Sequence, residues 1–120
     1  MPLDETSRSK ESLARKPGRA SVAEMVEEIL GCKWSVMLLS LLAQGPQRPS
    51  HMLKTCKGLS PKVLNERLQK MMAFGILHRT AFGEKPPLRV EYSLTAFGSR
   101  FLRVLNEVRR LQEELDRIPM

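Results

Sequence analysis

Cys32 and Cys56 are the two soft nucleophiles of this sequence; they stand 24 positions apart, with no CxxC and no ligand pair beside either. That spacing argues against a zinc site and against the disulfide framework of a small secreted domain, and it points to a reducing compartment. His51 and His78 have no metal-ligand partner at helical spacing. The chain holds no paired-carboxylate loop, no Ser/His/Asp order around a nucleophile and no Gly-rich phosphate loop. No catalytic residue, metal ligand or cofactor is therefore assigned, and a non-enzymatic function is expected. Charge and hydrogen bonding remain. Residues 48–100 carry ten bases against three acids, so the net charge of +7 of the whole chain is concentrated in its middle. Such asymmetry suits a polyanionic partner, although a solvated basic face with no partner accounts for the charge alone equally well.

The stretch SPKVLNERLQKMMA, residues 60–73, shows what that chemistry would be. Ser60 offers an N-cap and Pro61 a first-turn residue, so a helix is predicted to end at Phe74–Gly75. On its wheel Leu64, Leu68 and Met71 point inward, whereas Lys62, Asn65, Glu66, Gln69 and Ala73 face outward with Lys70 at the flank. Lys62 and Lys70 suit phosphate, and Asn65 and Gln69 present the paired donor and acceptor that read adenine in a major groove. Ser60 and the N–H groups of the helix start can hold a phosphate. Arg67 falls near the apolar stripe, so its stem is expected to be buried with the guanidinium reaching a phosphate or an internal acid.

The elements that must position this helix read as follows. Residues 1–20, rich in Ser, Arg, Lys, Pro and Gly, form a flexible basic arm. Ser21 and Glu24 propose a capping box for a first helix with Val22, Met25, Val26, Ile29 and Leu30 on one stripe, closed by Gly31. A second helix is predicted from about Trp34 to Ala43, with Trp34 as a core anchor, and a short third from Ser50 to Cys56. After the capped fourth helix come two β-rich runs, Ile76–Phe82 and Arg89–Leu94, around the loop GEKPPL. From Thr95 onward Phe97, Phe101, Val104, Val108, Leu111, Leu115 and Ile118 recur at heptad spacing. That seam either packs back on its own domain or meets a second copy, and its length favours a homodimer through Phe101, Val104, Val108, Leu111 and Leu115.

This order of elements is that of a winged helix: a mainly α protein with a small β hairpin (α+β), a helix-turn-helix with a wing and terminal dimerisation helices. The strings GCKW (31–34), GPQRPS (45–50), GLSPKVLNERL (58–68), LHRTAFGEKPPLRVEYSLT (77–95) and Gly98 resemble, in order and spacing, the HxlR-type winged helix-turn-helix transcriptional regulators of bacteria. The resemblance covers about Ser21 to Gly98. It implies a dimeric regulator that binds double-stranded operator DNA and dimerises through its terminal helices, with a small-molecule effector as a further partner. Three departures stand out. Cys32 replaces a glycine of the family pattern, Ser21 stands where redox-responsive members carry their sensing cysteine, and Leu88 resembles a one-residue insertion in the wing.

Three segments are thus expected: a basic arm (1–20), a DNA-binding winged helix (21–98) and a dimerisation helix (95–120). In the wing, Lys85 and Arg89 are placed to meet the flanking backbone or minor groove, with Arg79 on the neighbouring strand and Arg48 adding a phosphate contact before the third helix. Cross-strand pairing of Arg79 or Arg89 with Glu91 is the alternative use of these cations. The rival function is a winged-helix interaction module whose basic face meets an acidic protein. Cys56 reads as core. Cys32 reads either as a small residue filling a tight junction or as a redox-reactive thiolate favoured by a helix start and Lys33. No apolar run approaches the roughly 18 residues of a membrane span, and the acidic start lacks the pattern of a signal peptide. A cytoplasmic, nucleoid-associated protein is expected.

Overall fold

In the computed structural model, residues 19–119 are described; the arm expected over 1–20 lies outside them except for Arg19 and Ala20. The elements are α1 (Val22–Leu30), α2 (Ser35–Leu42), α3 (Pro49–Thr55), α4 (Pro61–Ala73), β1 (Leu77–Phe82), β2 (Arg89–Leu94) and α5 (Ala96–Arg117). Among the described residues this is a four-helix body with a helix-turn-helix, α3–α4, within it, an antiparallel hairpin and a long terminal helix.

Local chemistry sets most boundaries. The Ser21 hydroxyl accepts from the Glu24 N–H at 3.1 Å while the Ser21 N–H donates to the Glu24 carboxylate at 3.4 Å, the reciprocal capping box. Trp34 caps α2 rather than joining it; it lies half-buried against the core, with the Lys33 ammonium 5.0 Å over its ring. Arg48, held extended by the proline that follows, caps α3. Between α3 and α4 the turn depends on Gly58 at φ +94°, a conformation that side chains disfavour.

The core gathers Met25 and Ile29 of α1, Leu38, Leu39 and Leu42 of α2, Met52 of α3, and Leu64, Leu68 and Met71 of α4 under Tyr92, Phe101 and Leu105. In the hairpin, Leu77 pairs with Leu94 and Phe82 with Arg89, leaving the six-residue loop Gly83–Leu88. Gln47 adds a rung that the sequence reading missed. Its N–H donates to the Tyr92 carbonyl at 2.9 Å and its carbonyl accepts from the Tyr92 N–H at 2.8 Å, while its side-chain amide donates to the Leu41 and Gly45 carbonyls. One residue thereby ties the end of α2 to the base of the wing.

The end of α4 and the start of α5 are locked together. Gly75, at φ +80°, and Ile76 close α4 as a Schellman motif: Gly75 N–H donates to Met72 and Ile76 N–H to Met71, with Ile76 and Met71 both fully buried. The Thr95 hydroxyl then donates to the Gly75 carbonyl at 2.6 Å and accepts from the Gly98 N–H at 2.8 Å, while the Thr95 N–H donates to the Ile76 carbonyl at 3.0 Å. Gly98 passes so close that a Cβ there would lie 2.0 Å from the Ile76 carbonyl oxygen. No side chain fits.

α5 divides at about its middle. Phe101 and Leu105 are buried in the chain's own core, whereas every described residue from Asn106 to Pro119 is exposed. The expectation that Phe101 belongs to a contact with a second copy is corrected here: its ring, 2% exposed, is used to anchor α5 to its own domain. Val104, Val108, Leu111 and Leu115 remain exposed on one stripe.

Two predictions follow from these contacts. Gly98→Ala drives a methyl into backbone that cannot retreat, so chemical unfolding should show a loss of about 3 kcal/mol or more, against about 1–2 kcal/mol for Thr95→Val, which removes one cap and one donor. Equal, small losses would show that the junction yields. The cysteines should also separate. Cys56 is buried in the core and that burial raises its thiol pKa, while Cys32 is half-buried in the α1–α2 turn. Alkylation of the native protein at mildly alkaline pH should label Cys32 first and Cys56 only on unfolding. Because the unfolded thiol gives up its proton at lower pH than the folded one, Cys56 also lowers stability as pH rises through the usual thiol range. Equal labelling rates would contradict this burial.

Candidate nucleic-acid interface

The buried stripe of α4 fixes what its other side presents. Leu64, Leu68 and Met71 are packed into the core, so Lys62, Asn65, Glu66, Gln69 and Ala73 all stand in solvent on the opposite face. Ser60 accepts from the Val63 N–H at 3.2 Å, which uses the hydroxyl as an acceptor and leaves its proton to donate outward. These side chains occupy successive turns of one helix, about 16 Å long from Lys62 to Ala73. Two amides, a cation and the Glu66 carboxylate are thus arrayed on one exposed helix face, with the Ser60 hydroxyl at its N-terminal end.

Lys70 stands apart. Its ammonium lies 3.9 Å from the Glu28 carboxylate and 5.3 Å over the Phe74 ring, which turns it toward α1 and away from that face. For Arg67, no ion pair to an acid is found among the described residues, and its Nε is buried without a hydrogen-bond partner. On this flank of α4, Lys70 reaches Glu28 of α1 and the Phe74 ring, and so is turned away from the solvent face.

In the hairpin, residues 78–89 are all exposed, so its outer part projects from the body, which is why β1 alternates so poorly in sequence. Arg79 stands opposite Tyr92, and Arg89 lies with its guanidinium 5.7 Å over the Phe82 ring. Glu91 stands opposite Thr80, and no ion pair joins it to Arg79 or Arg89 among the described residues. Lys85 is in the loop, and Arg48 is exposed at the start of α3. His78 bonds across the strands to the Ser93 hydroxyl at 3.0 Å.

Among the described residues no group of His, Cys, Asp and Glu could hold a metal ion. No described helix is long and apolar enough to cross a membrane. A groove of about 590 Å³ runs between α1 and the end of α4, lined by Arg19, Val22, Met25, Met72, Phe74 and Phe97.

Comparison with known proteins identifies the family and the fold. Residues 29–117 match the model of the HxlR-like helix-turn-helix family. An HTH-type transcriptional regulator of Synechocystis is 37% identical over 94 residues, which are 78% of this chain and 69% of that protein. Of solved structures, a MarR-family transcriptional regulator from Enterococcus faecalis superposes with a TM-score of 0.69 at 27% identity, covering 86% of this chain and 94% of its own. Diamide-treated YodB of Bacillus subtilis superposes with a TM-score of 0.68 at 28% identity, covering 76% and 89%. The winged helix-turn-helix expected from the sequence is the fold observed, and the chain belongs to the HxlR-like helix-turn-helix family of transcriptional regulators, a family that is not one of enzymes.

Proposed function

We propose that this regulator binds a pseudo-palindromic operator in double-stranded DNA as a homodimer, with α4 in the major groove and the wing on the flanking backbone or minor groove. The observation that carries this reading is the solvent face of α4, where Lys62, Asn65 and Gln69 stand clear of the other described residues on a capped, core-anchored helix. Asn65 and Gln69 read base edges; Lys62, Ser60, Arg48, Arg79, Lys85 and Arg89 meet phosphate or the minor groove. Lys70, already engaged by Glu28, adds little. Residues 21–98 act as the DNA-binding unit, and α5 beyond Leu105 as the dimerisation element.

The second copy is supported by the length of α5 that no other described residue covers. From Asn106 to Arg117 it extends about 18 Å in solvent with Val108, Leu111 and Leu115 aligned, and an unsupported helical extension of that kind is marginal in water. Val104, Phe97 and Val22 continue the apolar surface toward α1. The groove between α1 and α4 is the place for a small-molecule effector, because it touches the end of the helix that would read DNA. The protein then works in the cytoplasm, where the chromosome is.

Gel shifts with random and selected duplexes at several salt concentrations test the DNA assignment. Lys62→Gln should weaken binding to all sequences and reduce the salt slope by about one, Lys70→Gln should do much less, and Asn65→Ala should cost about 1–3 kcal/mol on the selected duplex only. If Lys62 and Lys70 neutralised together left affinity and slope unchanged, α4 would not be the DNA-contacting helix. Binding to acidic proteins in the absence of duplex binding would favour an interaction module. For assembly, Val108→Glu places a carboxylate on the apolar stripe and should give monomer in sedimentation, with operator affinity collapsing. Retained dimer mass would assign the contact elsewhere.

A further inference from the structure

The tip of the wing is more apolar than a solvent loop needs to be. Phe82 and Leu88 are each 43% exposed, and Pro86, Pro87 and Leu88 form three consecutive exposed apolar residues. Gly83 turns at φ +110°, and a Cβ there would lie 3.6 Å from Leu88 Cδ2, so the Leu88 side chain lies across the neck of the loop, where Gly83 and Leu88 follow the Phe82–Arg89 pair, with Pro86 and Pro87 beyond it. With residues 78–89 all exposed, nothing in the described chain covers this surface. Leu88 is also the residue that reads as an insertion against the family pattern.

We infer that Leu88, with Pro86 and Pro87, forms an apolar wedge that enters the minor groove of bound duplex DNA and bends it; the inference rests on the DNA-binding reading above. Charge selects this occupant. Lys85 sits beside the wedge, Arg89 covers the Phe82 ring at 5.7 Å, and Arg79 follows along β1, with Glu84 the single acid of the loop. Cations around an apolar point match a groove whose edges are phosphates and whose walls are sugar C–H and base surface. A minor groove about 6 Å wide excludes a helix, but a single loop side chain can enter. The two prolines fix φ at successive positions, so the tip is presented with little ordering cost on binding. Prying apart a base step is easiest at pyrimidine–purine steps, so the wedge also contributes specificity: a flexible TA or CA/TG step is expected where the wing lands.

Duplexes of about 30 base pairs, selected from random sequence by the full-length native protein and carrying a dye at each end, test this by energy transfer and titration at several salt concentrations. The native protein should shorten the end-to-end distance. Leu88→Ser, a change at an exposed position, should lower affinity about tenfold and relax the bend while leaving the salt slope unchanged, because no charge is lost. Lys85→Gln should lower the slope and keep the bend. A Leu88→Ser protein that binds and bends the selected duplexes as well as the native one overturns the wedge while leaving the DNA-binding reading intact, and points to an apolar protein partner for the tip. A native protein that selects no duplex overturns both.

Discussion

The contact between Gly98 and the Ile76 carbonyl sets the geometry of the whole molecule. A helix that passes this close to another element's backbone cannot slide or rotate without losing the Thr95 bonds that hold it, so α5 leaves the domain in one direction. The same few residues end α4, because Gly75 and Ile76 complete its Schellman closure before their carbonyls receive Thr95. One short stretch of backbone thus fixes the C-terminus of the helix that presents Asn65 and Gln69 and the N-terminus of the helix that carries the exposed apolar stripe. In a dimer built on that stripe, the separation and tilt of two copies of α4 would be set by this junction.

Around that junction the chain separates its surfaces by chemistry. The inner face of α4 and the upper half of α5 are used up in a core that reaches from Met25 to Leu105, while the outer face of α4 and the lower half of α5 meet nothing among the described residues. Hydrophobic burial holds the body, and the polar and charged residues left outside cost little there because they remain hydrated. Lys70 marks the border. It is long enough to reach Glu28 and the Phe74 ring, and in doing so it belongs to the packing of α1 against α4.

Much of this was legible in the sequence where a local rule and the tertiary fold agree. Ser21 and Glu24, Ser60 and Pro61, Gly75 and Thr95 mark helix ends through bonds made within a few residues, and each of those ends lies within a residue or so of its expected position. The outward face of α4 could be read because its inward face is so regular. What could not be read depends on distant backbone. Gln47 pairs with Tyr92, forty-five positions away, and nothing in GPQRPS announces a strand rung. Phe101 keeps heptad spacing with Val104 and Val108 yet is buried in the core, because the place where a helix leaves its domain has no signature in periodicity. Arg67 ends with a buried Nε and no ion pair among the described residues, an outcome decided by packing at the flank of α4.

In the proposed function, two copies of α4, held at a fixed separation by α5, read one duplex. Hydroxyl-radical footprinting of the native protein on a duplex it has selected from random sequence measures this directly. Two symmetric protected patches whose centres lie about 10 or 20 base pairs apart on one face of the helix are predicted. A single patch, or protection with no sequence preference at any salt, would contradict it.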